Sequence, residues 1–118
     1  MISEDIFFQK KHIEKEKLYG ANDYHALPVV LEKGKGVLLW DVNKKKYFDF
    51  LSSYSAVNQG HCHPRIVKKI QEQSSKLTLT SRAFHNNILG DYMEFTTKLF
   101  GFDKLLPMNT GAEGVETS

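Results

Sequence analysis

The sequence predicts an α/β chain, and three observations carry that prediction. Residues 37–42 and 46–51 are rich in strand formers and flank the pair Asn43-Lys44, which is the pattern of a hairpin. Residues 64–77 and 87–100 place apolar side chains at helical spacing. The stretch from Lys104 onward reads as a short apolar run, a small-residue turn and the first turn of a helix.

Taken in order, the chain starts with Ser3 followed by Glu4 and Asp5. A hydroxyl cap and early acids suit the positive end of a helix dipole, so a mostly solvated helix is expected to about Lys17. "YGANDYHALP" breaks any period with Gly, Asn, Asp and Pro and is a loop. The hairpin follows, with Asn43 expected to take the left-handed backbone its turn requires. Val37 and Leu39 lie on one face, Leu38, Trp40 and Val42 on the other. Apolar residues on both faces imply that something else covers the hairpin.

"FLSSYSAVNQGHCHP" is a second irregular segment, dense in small and polar residues. Pro64 suits the first position of a helix, and Ile66, Val67, Ile70 and Leu77 then form a narrow apolar stripe. A stronger period begins at Asn87 and runs through Ile88, Tyr92, Phe95 and Leu99 to Gly101, where a helix end favours positive φ. "KLLPMN" is expected to be a short buried strand.

The composition narrows the function classes. A chain of 118 residues is enough for one small domain with a modest core. A net charge of +2 is too weak to suggest nucleic acid or an anionic membrane as partner. Cys62 alone cannot build a disulfide framework and fits a reducing compartment. The N-terminus resembles neither a secretory signal nor a basic transit peptide, and no apolar run reaches membrane-spanning length. The expected location is the cytoplasm.

The segment "NTGAEGVETS" admits two readings. One is a plain helix start, capped by the Thr110 hydroxyl with Glu113 completing a capping box. The other is a phosphate cradle, in which the first helical amides and the dipole hold an anion that Gly111 and Ala112 are small enough to admit. Nucleotide loops fit poorly: there is no Gly-x-x-x-x-Gly-Lys-Ser/Thr, and Gly34-Lys35-Gly36 runs into a strand. A Gly-x-x-Gly clamp on RNA at Gly111 to Gly114 would be opposed by Glu113 and Glu116. His61-Cys62-His63 suggests zinc, but no second cluster has ligand spacing, so no metal site is expected.

"YGANDYHALPVVLEKGKGVLLWDV", "YFDFLSSYSAVNQGHCHPRI", "LTLTSRAF" and "LPMNTGAEGVET" together resemble the N-terminal part of the class III aminotransferases. These are pyridoxal-phosphate enzymes of fold type I, and within them the likeness is to members acting on ornithine. It runs from about Leu18 to the last residue; "FLSSYSAVNQGHCHP" is its specific part, whereas Thr-Gly-Ala-Glu marks only the wider class. The resemblance implies that Gly111 and Ala112 hold the cofactor phosphate through their amides, with Thr110 beside them. It implies that Tyr24 binds the α-end of L-ornithine and that Tyr54 helps select that substrate. A phenol suits both roles, offering a flat apolar wall and a hydroxyl, although most tyrosines at such spacing simply pack.

The resemblance also implies a division of the chain. Residues 1–80 would be the N-terminal arm and a section of the small domain, and residues 81–118 the start of the large, mostly parallel-sheet domain that carries the cofactor. The reaction would move the δ-amino group of L-ornithine to 2-oxoglutarate, in a homodimer with active sites at its interface. Acetylornithine or 4-aminobutyrate as amino donor, or a non-catalytic truncated subunit, are the alternatives. The resemblance implies that the cofactor-anchoring lysine lies well beyond residue 118, and the lysines present are concentrated in charged clusters such as Lys10-Lys11, Lys44 to Lys46 and Lys68-Lys69. The chain is therefore expected to be a fragment without activity of its own. Departures from the family pattern are Asn22, Asp23, Ala26 and Gly114. Gly114 keeps its position small but loosens a helix start.

Overall fold

The computed structural model describes residues 4–21 and 24–118, with side chains from residue 9 onward. Ser3, expected to cap the first helix, and the departures Asn22 and Asp23 lie outside the described residues. Two units make up the chain, one running to Gln73 and the other from Ser74 to Ser118.

In the first unit, α1 (Glu4–Tyr19) runs slightly beyond its expected end. It stops at Gly20, whose amide donates to the Glu16 carbonyl at 2.7 Å. Three antiparallel strands follow in sheet order β1-β2-β3: β1 (Leu31–Lys35), β2 (Leu38–Asp41) and β3 (Lys46–Phe48). The expected hairpin is the β2–β3 pair, with Leu39 opposite Tyr47 and Trp40 opposite Lys46. β1 was not foreseen, because "LEKGK" carries two lysines and a glycine and little strand propensity. Pairing recruits it: Gly34 lies opposite Leu39 and Lys35 opposite Leu38, and Gly36 at φ 58° turns the chain between the strands.

The β2–β3 turn corrects a second expectation. Its left-handed residue is Lys44, at φ 67°, and not Asn43. The cause is Asp41, whose Oδ1 accepts the amides of both Asn43 and Lys45 at 2.9 Å. Wrapping the backbone around one carboxylate oxygen places the reversal a residue later than propensity suggests. β3 also ends earlier than expected, at Phe48, where Asp49 begins a new turn.

From Asp49 to His63 the chain is irregular, as expected. Ser52, Ser53, Tyr54 and Ser55 occupy the left-handed region in succession, with φ of 49°, 47°, 55° and 73°. For residues with a side chain this costs roughly 1–2 kcal/mol each, so the surroundings must enforce it. Helix α2 (Pro64–Ser74) then begins at the expected proline.

The second unit holds α3 (Leu89–Phe100) and α4 (Gly111–Thr117). α3 starts later than the periodicity suggested because the Asn86 side-chain Oδ1 accepts the amides of Ile88 and Leu89, at 3.0 and 2.9 Å. Its end is as expected: Gly101 is left-handed at φ 75°, and its amide closes onto Thr97. The buried strand expected at 104–109 is absent. These residues form no ladder, and Leu106 and Met108 are exposed. A strand needs a neighbour for its backbone groups, and among the described residues this unit has no strand to offer one.

No described apolar side chain is buried in either unit. The stripe of Ile88, Tyr92, Phe95 and Leu99 on α3 is in place but faces solvent. The face of β2 expected to be covered is only partly shielded. Helical and strand periodicity have thus written faces that these residues do not themselves cover.

Candidate functional site

Two places gather the candidate residues, each described within its own unit. The first is the start of α4. Thr110 is extended, at φ −135° and ψ 159°, and its Oγ1 accepts the Glu113 amide at 3.1 Å. Glu113 Oε2 reaches back to accept the amides of Asn109 and Thr110, at 2.9 and 3.1 Å. The capping box is therefore formed. It engages the amides on either side of Gly111 and Ala112, while those two amides, the first of the helix, have no intrahelical acceptor. A Cβ placed on Gly111 would meet no atom within 4 Å.

The capped-helix and phosphate-cradle readings are thus compatible in geometry. Thr110 uses an oxygen lone pair for the cap, so its hydroxyl hydrogen remains available to an anion. Two outward amides, one hydroxyl and open space above Gly111 fit a phosphate monoester. The Glu113 carboxylate opposes an anion there, and its bonds to the Asn109 and Thr110 amides draw it to the side of the box.

The second place is the loop region of the first unit. Tyr24 and Tyr54 are 75% and 79% exposed, so neither packs as a structural aromatic within this chain. Tyr54 sits inside the left-handed run, and its amide donates to the Leu51 carbonyl at 3.0 Å.

Sequence reasoning missed two carboxylates that organise this unit. Asp41 is 1% exposed, the one fully buried side chain among the described residues. Besides the turn amides, its Oδ2 accepts the Tyr47 hydroxyl at 2.8 Å and Gln9 Nε2 at 3.2 Å. Burial pushes the Asp41 carboxyl up, but the Tyr47 hydroxyl, the Lys45 and Asn43 amides and the nearby Lys45 ammonium outweigh it. The net effect holds it below the usual carboxylate value. The same contact raises the Tyr47 phenol above its ordinary value.

Asp49 is the second. Its Oδ1 accepts the amides of Leu51 and Ser52, at 3.0 and 2.8 Å, and its Oδ2 lies 2.6 Å from His61 Nε2. An ionised carboxylate only accepts, so the imidazole carries the hydrogen on Nε2. The Ser52 amide and then His61 hold the Asp49 carboxyl below its usual range, against the opposing effect of burial. His61 was weighed as a metal ligand with Cys62 and His63. Its ring nitrogen is instead committed to Asp49, and Cys62 is exposed. The available signal was in the Asp-x-Asn-x-Lys and Asp-x-Leu-Ser spacings, since Asp readily accepts backbone amides two to four residues ahead.

Every lysine of the chain is exposed, so none sits in the apolar setting of an anchoring or catalytic amine. Among the described residues no helix is long and apolar enough to cross a membrane.

Comparison with known proteins places these features in context. The family model "Aminotransferase class-III" matches residues 19–118. The mitochondrial ornithine aminotransferase of Drosophila ananassae is 62% identical over 117 residues, covering 99% of this chain and 26% of that protein. The acetylornithine aminotransferase structure from Elizabethkingia anophelis superposes with a TM-score of 0.90 at 62% identity, over 92% of this chain and 28% of that one. The ornithine δ-aminotransferase of Plasmodium falciparum gives 0.89 at 50% identity, with the same two coverages. The chain thus spans about a quarter of the length of the relatives it matches.

Proposed function

The chain belongs to the class III aminotransferase family, and from that premise we propose that it supplies the N-terminal part of an enzyme acting on L-ornithine. The reaction transfers the δ-amino group to 2-oxoglutarate and yields glutamate 5-semialdehyde and glutamate. The observation that carries this reading is the 62% identity to a protein named ornithine aminotransferase across 99% of the chain.

In this proposal the roles within the chain are divided. The amides of Gly111 and Ala112, with the Thr110 hydroxyl, hold the phosphate of pyridoxal 5′-phosphate, for which the uncommitted amides and the open space over Gly111 provide support. When bound, that group supplies an electron sink and carries the amino group between the two substrates. Tyr24 binds the α-end of ornithine, and Tyr54 forms a wall that favours ornithine over smaller ω-amines. The anchoring lysine comes from sequence outside these residues. Residues 1–80 form the arm and part of the small domain, and 81–118 begin the cofactor domain. The uncovered apolar faces support a larger polypeptide paired as a homodimer. We propose the cytoplasm as its location; the Drosophila relative's name places that protein in mitochondria, and cell fractionation distinguishes the two.

The test is an assay of the complete enzyme loaded with the cofactor. Formation of glutamate 5-semialdehyde from ornithine and 2-oxoglutarate is the expected result. The likeness to the Elizabethkingia structure supports a second reading, acetylornithine as donor. Turnover of N-acetylornithine with none of ornithine would establish that reading instead. The Tyr54 role is tested by Tyr54→Ile, expected to weaken ornithine turnover and favour smaller ω-amines such as 4-aminobutyrate.

A further inference from the structure

We propose that Asp49 and His61 are positioning residues that hold Tyr54 in its left-handed turn, and so set selectivity without touching substrate. The inference rests on the substrate-selecting reading of Tyr54.

Four consecutive left-handed residues do not persist without support, and the structure shows where the support comes from. His61 is fixed to the β-sheet in two ways. Its amide donates to the Gly36 carbonyl at 2.8 Å and its carbonyl accepts the Gly36 amide at 2.9 Å. Its side chain also lies on Gly34, so closely that a Cβ there would come within 2.7 Å of the His61 Cβ. From this fixed point Nε2 holds Asp49 Oδ2 at 2.6 Å. Asp49 Oδ1 holds the Leu51 and Ser52 amides, and the Leu51 carbonyl accepts the Tyr54 amide. The Val57 amide closes the turn onto the Ser52 carbonyl at 3.1 Å. Three successive hydrogen-bonded links thus run from His61 to the tyrosine backbone. The pair is largely shielded, with 24% of the His61 side chain and 10% of that of Asp49 exposed, so water competes poorly for the central bond.

A turn left without this tether relaxes toward ordinary right-handed or extended backbone and carries the phenol away with it. Misplacement by about an ångström costs up to roughly a hundredfold in rate, and the loss falls on the substrate whose shape the phenol reads.

The experiment uses the complete, cofactor-loaded enzyme. His61→Phe removes the donor and keeps a ring; Asp49→Asn is isosteric and provides a second variant should the first not fold. His61→Gln restores an N–H donor. Each is assayed for kcat and KM with ornithine and with 4-aminobutyrate, alone and combined with Tyr54→Ile. The expected result is a roughly ten- to hundredfold fall in kcat/KM for ornithine, mostly through KM, with little change for 4-aminobutyrate. His61→Gln should recover part of it, and the effect should vanish in the Tyr54→Ile background. Equal losses for both amines, or the same loss with Tyr54 already replaced, would overturn the proposal. If Tyr54→Ile alone leaves selectivity unchanged, the underlying reading of Tyr54 fails, and the proposal with it.

Discussion

Asp41 Oδ2 accepts a hydrogen bond from Gln9 Nε2 at 3.2 Å, across 32 residues of sequence. Gln9 Oε1 in turn accepts the Val30 amide at 2.9 Å. One side chain of α1 therefore bridges the end of β2 and the entry to β1.

Asp41→Asn is expected to release α1, because the new amide turns a donor toward Gln9 Nε2, which requires an acceptor while Gln9 Oε1 is held by the Val30 amide. In the complete protein, hydrogen exchange should show faster exchange of the α1 and Val30 amides, with a melting temperature lower by several degrees. Unchanged protection of α1 would show that Asp41 does not hold it.

The two carboxylates also give a pH dependence with a definite sign. Asp41 and Asp49 are held below the ordinary carboxyl value of 3.8 in the folded chain, so the unfolded chain takes up protons first as pH falls. Their stabilisation is complete above that value and drains away below it, through the folded values. A carboxyl NMR titration should find both groups titrating below the ordinary carboxyl value of 3.8; a midpoint at or above it for either would contradict the geometry.

Gly34→Ala is expected to destabilise the first unit by about 1–3 kcal/mol through overpacking. The added Cβ would lie 2.7 and 2.8 Å from His61 Cβ and Cγ. Urea titration of the complete protein measures the cost, and an unchanged midpoint would mean that the imidazole can move aside freely.

At α4, capping and phosphate holding can be separated. Thr110→Ala should cost about 0.5–2 kcal/mol as a lost N-cap. Gly111→Val meets open space and should leave the cofactor-free protein as stable as before, yet lose pyridoxal phosphate on dialysis, followed by its absorbance. Full retention of the cofactor would refute the cradle.

The isolated 118 residues are expected to be loosely ordered and prone to association, since no described apolar side chain is buried. Circular dichroism and size-exclusion chromatography check this, and a sharp cooperative melt as a monomer would contradict it.

What the sequence disclosed and what it concealed divide along physical lines. Local signals were readable: Pro64 at a helix start, Gly101 at a helix end, and the Thr110–Glu113 box all follow from backbone chemistry within one turn. β1 was hidden because its strand state comes from a partner and not from its lysines and glycine. The strand expected at 104–109 failed for the opposite reason, having propensity but no described partner. Asp41 and Asp49 were overlooked because a carboxylate in sequence resembles any solvated charge, and only the fold shows four donors converging on Asp41.

The enclosure of Asp41 has a calorimetric consequence. The heat-capacity increment of unfolding grows with the oily area newly wetted and shrinks with the polar area. Where the sole enclosed side chain among the described residues is an anion, that increment is small for a chain of this size. Scanning calorimetry of these residues on their own is accordingly expected to show a shallow, non-cooperative absorption of heat.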